Sequence, residues 1–214
     1  PIPVADWAYS SAAGNVHAFD AIAAAKALDA AGWLLDPTSR LRVKNNVSFK
    51  VTLVAADSYP NQQAAEAVAA QLNAIGVGVE VKPVPASKLL QDYLLTHKYQ
   101  MALVSIDVGP DPDQYSLWHS GIDPGSLNFA YSRGWGLIDK DLEDGRATLE
   151  PPQRLAAYID FQMLMADLAP AIFLYAGRYQ YAVSQRVHGV HFNKAIEPYD
   201  RFQYVTDWYV NTTG

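Results

Sequence analysis

Hydrophobic and polar positions in the first half of the chain alternate between two periods. Across 47–55, Phe49, Val51 and Leu53 alternate with more polar neighbours, which predicts a strand. Val77, Val79 and Val81 repeat the two-residue period and predict a strand over 77–83. The stretch "YQMALVSI", 99–106, is nearly all apolar and reads as a buried strand. Helical spacing fills the gaps. Asp20 is placed to cap a helix whose Ile22, Ala25 and Leu28 share one face with Phe19, and Gly32 stops it. In "YPNQQAAEAVAAQLNAIG", Pro60 sits in the first turn, Ala65, Val68, Leu72 and Ile75 line one face, and Gly76 ends the helix. "SKLLQDYLLTHK" predicts a shorter helix, and "LLDPTSRLRVKNN" a turn-rich loop. The order β-α-β-α-β predicts an α/β fold with a mixed, largely parallel sheet flanked by helices and joined by right-handed crossovers.

The second half has a different rhythm. Residues 109–136 are irregular and dense in Gly, Pro, Asp and aromatics, and a loop of that length points to function or mobility. "LIDKDLEDGRATL" predicts a modest helix. "PPQRLAAYIDFQMLMADLA" predicts a strong one, with Leu155, Tyr158, Phe161, Met165 and Leu168 on one stripe and Pro170 as its stop. "AIFLYAGRYQYAVS" predicts one or two strands, of which 171–176 joins the same sheet. The tail from 187 reads as extended and aromatic, and 1–18 as an extended entry segment. No internal repeat is visible.

Composition narrows the classes. Of 214 residues, 50% are hydrophobic and 18% charged, enough for a full core. The 13 Tyr and 5 Trp offer stacking surface as well as core material. The net charge of -6 and the lack of a Lys/Arg block argue against nucleic acid. With no cysteine, disulfides, thiol catalysis and zinc-thiolate sites are excluded. No apolar run is long enough to span a membrane as a helix. The opening "PIPVADWAYS" has neither Met nor a signal peptide, as expected of a mature protein or an excised piece.

Candidate chemistry concentrates in "SIDVGPDPDQYSLWHSG", 105–121. It follows the strand 99–106, and open α/β sheets bind ligands beyond the carboxyl ends of their strands. Asp107, Asp111, Asp113, Tyr115 and Trp118 therefore stand where a site is expected, with Trp118 half-buried at a cleft edge. The same D-P-D also suits a plain polar turn. A carboxylate-dependent hydrolase using Asp107, Asp111 and Asp113 is the enzymatic alternative. No G-x-S-x-G, H-E-x-x-H or P-loop is present. His188 and His191 have a metal-like spacing, but in extended chain i and i+3 point apart. His17, His97 and His119 are scattered and read as surface or capping residues.

Several segments together resemble a family. "AFDAIAAAKALDAAGW" is similar to the F-D-x-x-x-A-K-x-L-L-x-x-A-G-W helix of the extracellular solute-binding proteins, family 5, of bacterial peptide ABC transporters. "AAQLNAIGVGVEV", "DPDQYSLWHS", "NFAYS", "PPQRLAAYIDFQMLMADLAPAIFLY" and "VHGVHF" resemble further segments of that family in the same order. The resemblance implies a periplasmic-binding-protein type II-like lobe. On it, 1–214 is the second, ligand-binding lobe of a two-lobed protein, with 1–14 and 196–214 as crossings to a first lobe absent from this chain. It also implies non-enzymatic binding of a peptide or other small polar solute and delivery to an ABC transporter permease. The location implied is periplasmic or extracellular, with no cofactor, metal or nucleic-acid partner. Asn128, Tyr131, Trp135, Tyr175, Arg178 and Tyr179 complete the candidate ligand-binding set. Arg178 is suited to a ligand carboxylate or to pairing with Asp107. The family's peptide binders carry an amine-anchoring Asp just before D-P. This chain has Val108 there and Asp107 one residue earlier, which puts that anchor in doubt.

Overall fold

Arg42 shows how the first part of the chain is tied together. It is buried, and its guanidinium reaches Asp29 Oδ1 at 2.6 Å, the Trp33 carbonyl at 2.7 Å and the Ile75 carbonyl at 2.6 Å. The two carbonyls lie just beyond the ends of helices α1 (Ala21–Ala30) and α2 (Tyr59–Ala74), where carbonyls lack intrahelical partners. Both helices close by the same device. Gly32 and Gly76 adopt φ of +84° and +87°, Trp33 N–H returns to Leu28 O, and Val77 N–H to Leu72 O. The structure, a computed structural model, describes residues 1–15, 17–121, 127, 129, 135–177, 180–191 and 198–211. The chain divides into two compact units, Ala18–Ile106 and Pro1–His17 with Asp107–Gly214.

In the Ala18–Ile106 unit, the loop predicted over 34–46 takes part in a small antiparallel sheet instead. Its strands are β1 (Leu34–Leu35), β2 (Arg42–Lys44) and β3 (Val47–Ser48). Too few apolar residues alternate there for a period to show. The predicted strand 47–55 is therefore split, and its main part is β4 (Lys50–Ala56). β4 pairs in parallel with β5 (Gly78–Val84) on one side and β6 (Met101–Leu103) on the other. The order β5-β4-β6 is the expected parallel sheet, though β6 is shorter than 99–106. Leu53, Ala55 and Ala65 form the core beneath α2, with Val68, Val79, Val81, Met101 and Leu103 packed around them. A short helix, α3 (Ala86–Lys88), runs into a π-helical turn over Leu89–Leu94. α1 has no fully buried residue: on the expected apolar face Ile22 is 71% exposed, while Ala25 and Leu28 are half-buried.

The other unit centres on a helical hairpin, α5 (Gly136–Ala147) and α6 (Pro151–Leu168), preceded by the single turn α4 (Tyr115–Trp118). Its core holds Ile2, Ala8, Trp118, Trp135, Ile138, Leu142, Tyr158, Phe161 and Met165. The predicted α6 stripe is buried at Tyr158, Phe161 and Met165, whereas Leu168 is exposed. Residues 1–14 bring Ile2 and Ala8 into this core, held by Gln162, which accepts from Ser10 N–H and donates to the Ala8 carbonyl. The expectation that 171–176 joins the parallel sheet is corrected. That stretch forms no strand, belongs to this unit, and leaves Ile172, Phe173, Leu174 and Tyr175 exposed. Its apolar, β-favouring composition signalled a strand, but strand formation needs a partner edge. The tail is less extended than expected, with 3-10 turns at Pro198–Phe202 and Val205–Asp207. Two short strands, β7 (Val187–His188) and β8 (Tyr209–Val210), pair with each other.

Candidate functional site

No regular element forms between Leu103 and Tyr115, so side chains shape this loop. Asp107 Oδ1 accepts from Gly109 N–H, Asp111 Oδ1 from Asp113 N–H, and Asp113 Oδ1 from Tyr115 N–H. Each is an Asp folding the chain back two residues on, the turn chemistry that D-P-D favours. Two of the three carboxylates also meet arginines. Arg154 Nη2 lies 2.7 and 3.0 Å from the two Asp111 oxygens, and Arg146 Nε lies 2.7 Å from Asp113 Oδ2. Burial pushes the Asp111 carboxyl up, but the Arg154 hydrogen bond, the Asp113 N–H and the charges of both arginines outweigh it. The carboxyl is held below its ordinary value. Asp107 is exposed and has no cation partner among the described residues.

Aromatics continue the arrangement. The Arg146 guanidinium lies 3.9 Å from the Tyr115 ring centre, and Tyr115 stacks on His119 at 4.0 Å. His119 was read from sequence as a surface or capping residue, and this is corrected. It is buried, with Nε2 3.0 Å from Glu143 and Nδ1 accepting from Gly121 N–H. That backbone contact assigns the proton to Nε2, which donates to the carboxylate. Ser120 is bound to Asp139 through both its N–H and its hydroxyl.

Trp118 also departs from the half-buried edge position expected of it. It is 3% exposed and packs edge-on against Phe129 and Phe173. Trp135 lies beside it in the core and donates its indole N–H to the Trp118 carbonyl at 2.6 Å. Leu127 and Phe129 donate backbone N–H groups to Ser116 and Leu117 carbonyls, which brings these two residues against α4. Tyr175 is 72% exposed. Asn128, Tyr131, Arg178 and Tyr179 lie outside the described residues.

The structure thus brings Asp111, Asp113, Tyr115, Trp118 and Trp135 into one unit around α4–α6. Sequence reading missed Arg146, Arg154 and His119, which hold this group in place. The signal available was the placement of two arginines, one at the end of α5 and one in the first turn of α6, near in sequence to no acid they pair with.

Two surface hollows are lined by none of the predicted site residues. One, of about 470 Å3, runs along the beginnings of β4 and β5 beside Asn73 and Gln100. The other, of about 660 Å3, lies between α5 and α6 and holds Asp141, Asp144 and Asp160. Among the described residues, no group of three His, Asp or Glu side chains is arranged to hold a metal, and no helix is long and apolar enough to cross a membrane. His188 sits on β7 against Tyr209 and Asn211.

Residues 1–126 match the family model of the bacterial extracellular solute-binding proteins, family 5 Middle, and the chain belongs to this family. Its members bind peptides or other solutes for ABC transport and are extracellular or periplasmic. No curated protein sequence matches the chain. The fold is similar to that of the oligopeptide-binding protein AppA from Bacillus subtilis, solved with a nonapeptide. There the TM-score is 0.73 at 20% identity, over 99% of this chain and 42% of that one. It is also similar to NikZ from Campylobacter jejuni, solved with Ni(L-His), at a TM-score of 0.67 and 18% identity over 95% of this chain and 41% of that one. A third similar structure is AgaA from A. tumefaciens R10, solved with agropinic acid. Its TM-score is 0.66 at 20% identity, over 100% of this chain and 41% of that one. The chain therefore spans well under half the length of these structures. Their sheet-and-helix arrangement is the periplasmic-binding-protein type II fold.

Proposed function

We propose that residues 1–214 are the ligand-binding lobe of a two-lobed solute-binding protein. On this reading it captures a peptide or other small polar solute without transforming it and delivers it to an ABC transporter permease at the cell envelope. The segments 1–14 and 196–214 lead to and from the first lobe. Asp107, Tyr115 and Tyr175, with Asn128, Tyr131, Arg178 and Tyr179, are the proposed ligand-facing set. Exposed Asp107 supplies an acceptor and Arg178 a partner for a carboxylate. Trp118 and Trp135 support the loop from beneath.

The observation that supports capture over hydrolysis is the pairing of Asp111 with Arg154 and of Asp113 with Arg146. A paired-carboxylate hydrolase needs one acid that keeps its proton near neutral pH. Arg154 and Arg146 favour the ionised form of Asp111 instead. The similar structures hold a nonapeptide, Ni(L-His) and agropinic acid, so the proposed ligand class is a peptide or other small polar solute. Mass spectrometry of whatever co-purifies with the protein, followed by calorimetry with that compound, tests the reading. Saturable binding that survives Asp111→Asn in weakened form is expected. Turnover of the compound, abolished by the same substitution, would overturn it.

A further inference from the structure

We propose that Arg146 and Arg154 are positioning residues for the 107–118 loop. From two different helices they grip Asp113 and Asp111, and so fix the loop backbone in its ligand-ready shape without touching ligand themselves. The functional consequence rests on the solute-capture reading; the clamp itself stands on the contacts.

Arg154 is a hub rather than a simple ion-pair partner. Besides both Asp111 oxygens, its Nε donates to the Gly145 carbonyl at 2.9 Å, and its Nη2 reaches the Tyr158 hydroxyl at 3.3 Å. Its guanidinium carbon also lies 5.7 Å from the Trp7 ring centre. One side chain thus joins the entry segment, the last turn of α5, α6 and the loop. Arg146 works from α5 and covers the Tyr115 ring as well as Asp113.

Each gripped carboxylate does two jobs. Asp113 uses Oδ1 to bend the chain at Tyr115 and Oδ2 to take Arg146. Asp111 bends the chain at Asp113 while taking Arg154. With no helix or strand over 104–114, these carboxylates couple the loop to α5 and α6, beside the buried Pro112 and Gln114. An exposed ion pair alone contributes little to global stability. An ion pair that also sets a carboxylate's rotamer controls local opening, which is a different quantity.

The experiment compares Arg146→Gln, Arg154→Gln, Arg154→Lys and Asp113→Asn with the unsubstituted chain, with Lys140→Gln as an outlying control. Backbone hydrogen exchange over 107–118 and over 136–168 is read by mass spectrometry. Release of a random nonapeptide pool is followed in parallel. Both Gln variants are expected to accelerate exchange in 107–118 on the order of tenfold while 136–168 stays protected. Arg154→Lys should recover part of the protection, since an ammonium can meet Asp111 but not the Gly145 carbonyl as well, and Lys140→Gln should leave exchange in 107–118 unchanged. Peptide release should quicken by a similar factor with association nearly unchanged. Unchanged exchange in 107–118 in both Gln variants overturns the proposal. So does equal acceleration across 136–168, which would make the arginines merely structural. A wild-type chain that retains no peptide from the pool counts against the peptide reading alone, because the exchange comparison still decides the clamp.

Discussion

Gly145 carries a constraint that helix propensity alone would misjudge. Glycine inside a helix costs about 1 kcal/mol relative to alanine, so Gly145→Ala in α5 would ordinarily stabilise. A Cβ at this position would stand 2.9 Å from Cζ of Tyr158, a fully buried ring whose hydroxyl is engaged by Arg154. We expect Gly145→Ala to destabilise by about 1–3 kcal/mol, as overpacking does, and urea unfolding measures it. A second residue-scale prediction concerns Asp141, which shares the α5–α6 groove with Asp144 and Asp160 and whose buried Oδ2 has no hydrogen-bond partner among the described residues. Burial first, then the Asp160 charge, lift its carboxyl to about 6 despite Lys140 beside it. A carboxyl raised in the folded state binds its proton more tightly there than in the unfolded chain. Its effect on stability is therefore neutral below the unfolded value near 4, turns unfavourable as pH rises to about 6, and is fully unfavourable above. Asp111 has the opposite sign, and its contribution is lost only as pH falls below the ordinary carboxylate range. Asp141→Asn should raise stability at pH 7.5 by roughly 1 kcal/mol after allowing for solvent screening, and by little at pH 4. Melting curves of both proteins at the two pH values check it.

At the scale of elements, α1 depends on its ends. Asp20 accepts from Ile22 and Ala23 N–H at one end, and Lys44 Nζ meets the Ala31 carbonyl at the other. With no residue of α1 buried, little packing resists fraying. Asp20→Ala, worth about 1 kcal/mol to the helix, should therefore speed exchange of the 22–26 amides without moving the global melting temperature. The same helix shows what was legible in the sequence. Its cap and its glycine stop were readable because they are local, whereas the burial of its apolar face depended on a partner that periodicity does not name. The parallel strands were legible for the same local reason, each being a β-rich run between helical blocks. Residues 171–176 looked equally strand-like, but strand pairing is a long-range property. In the candidate site, the Asp-Pro turns were legible and their arginine partners were not. Asp111 pairs with Arg154 across 43 positions and Asp113 with Arg146 across 33. His119 was misplaced because a lone histidine in a polar loop gives no sign of the Tyr115 ring stacked on it.

Among the described residues, one core gathers around Leu53 and Ala65 and another around Trp118 and Phe161, without a shared member. Colinear motifs made the family recognisable along most of the chain, yet they gave no hint of this division, because motif order records sequence and not which segments pack together. The entry segment packs with 107–214, skipping over the 89 residues of the other unit. Two cores of this kind make simple two-state unfolding doubtful on physical grounds. The tryptophans allow the point to be tested, since Trp33 alone lies in the Ala18–Ile106 unit while Trp7, Trp118, Trp135 and Trp208 lie in the other. Fluorescence should chiefly follow the helical-hairpin unit, and far-ultraviolet circular dichroism should follow both. We expect the two urea transitions not to coincide. Leu53 is 3% exposed beneath α2, and Leu53→Ala should cost about 2–5 kcal/mol. That loss should shift the dichroism curve and leave the fluorescence midpoint nearly in place. Gly145→Ala should do the reverse. If either substitution moves both curves together by the same amount, the two cores unfold as one cooperative body and the division has no energetic meaning.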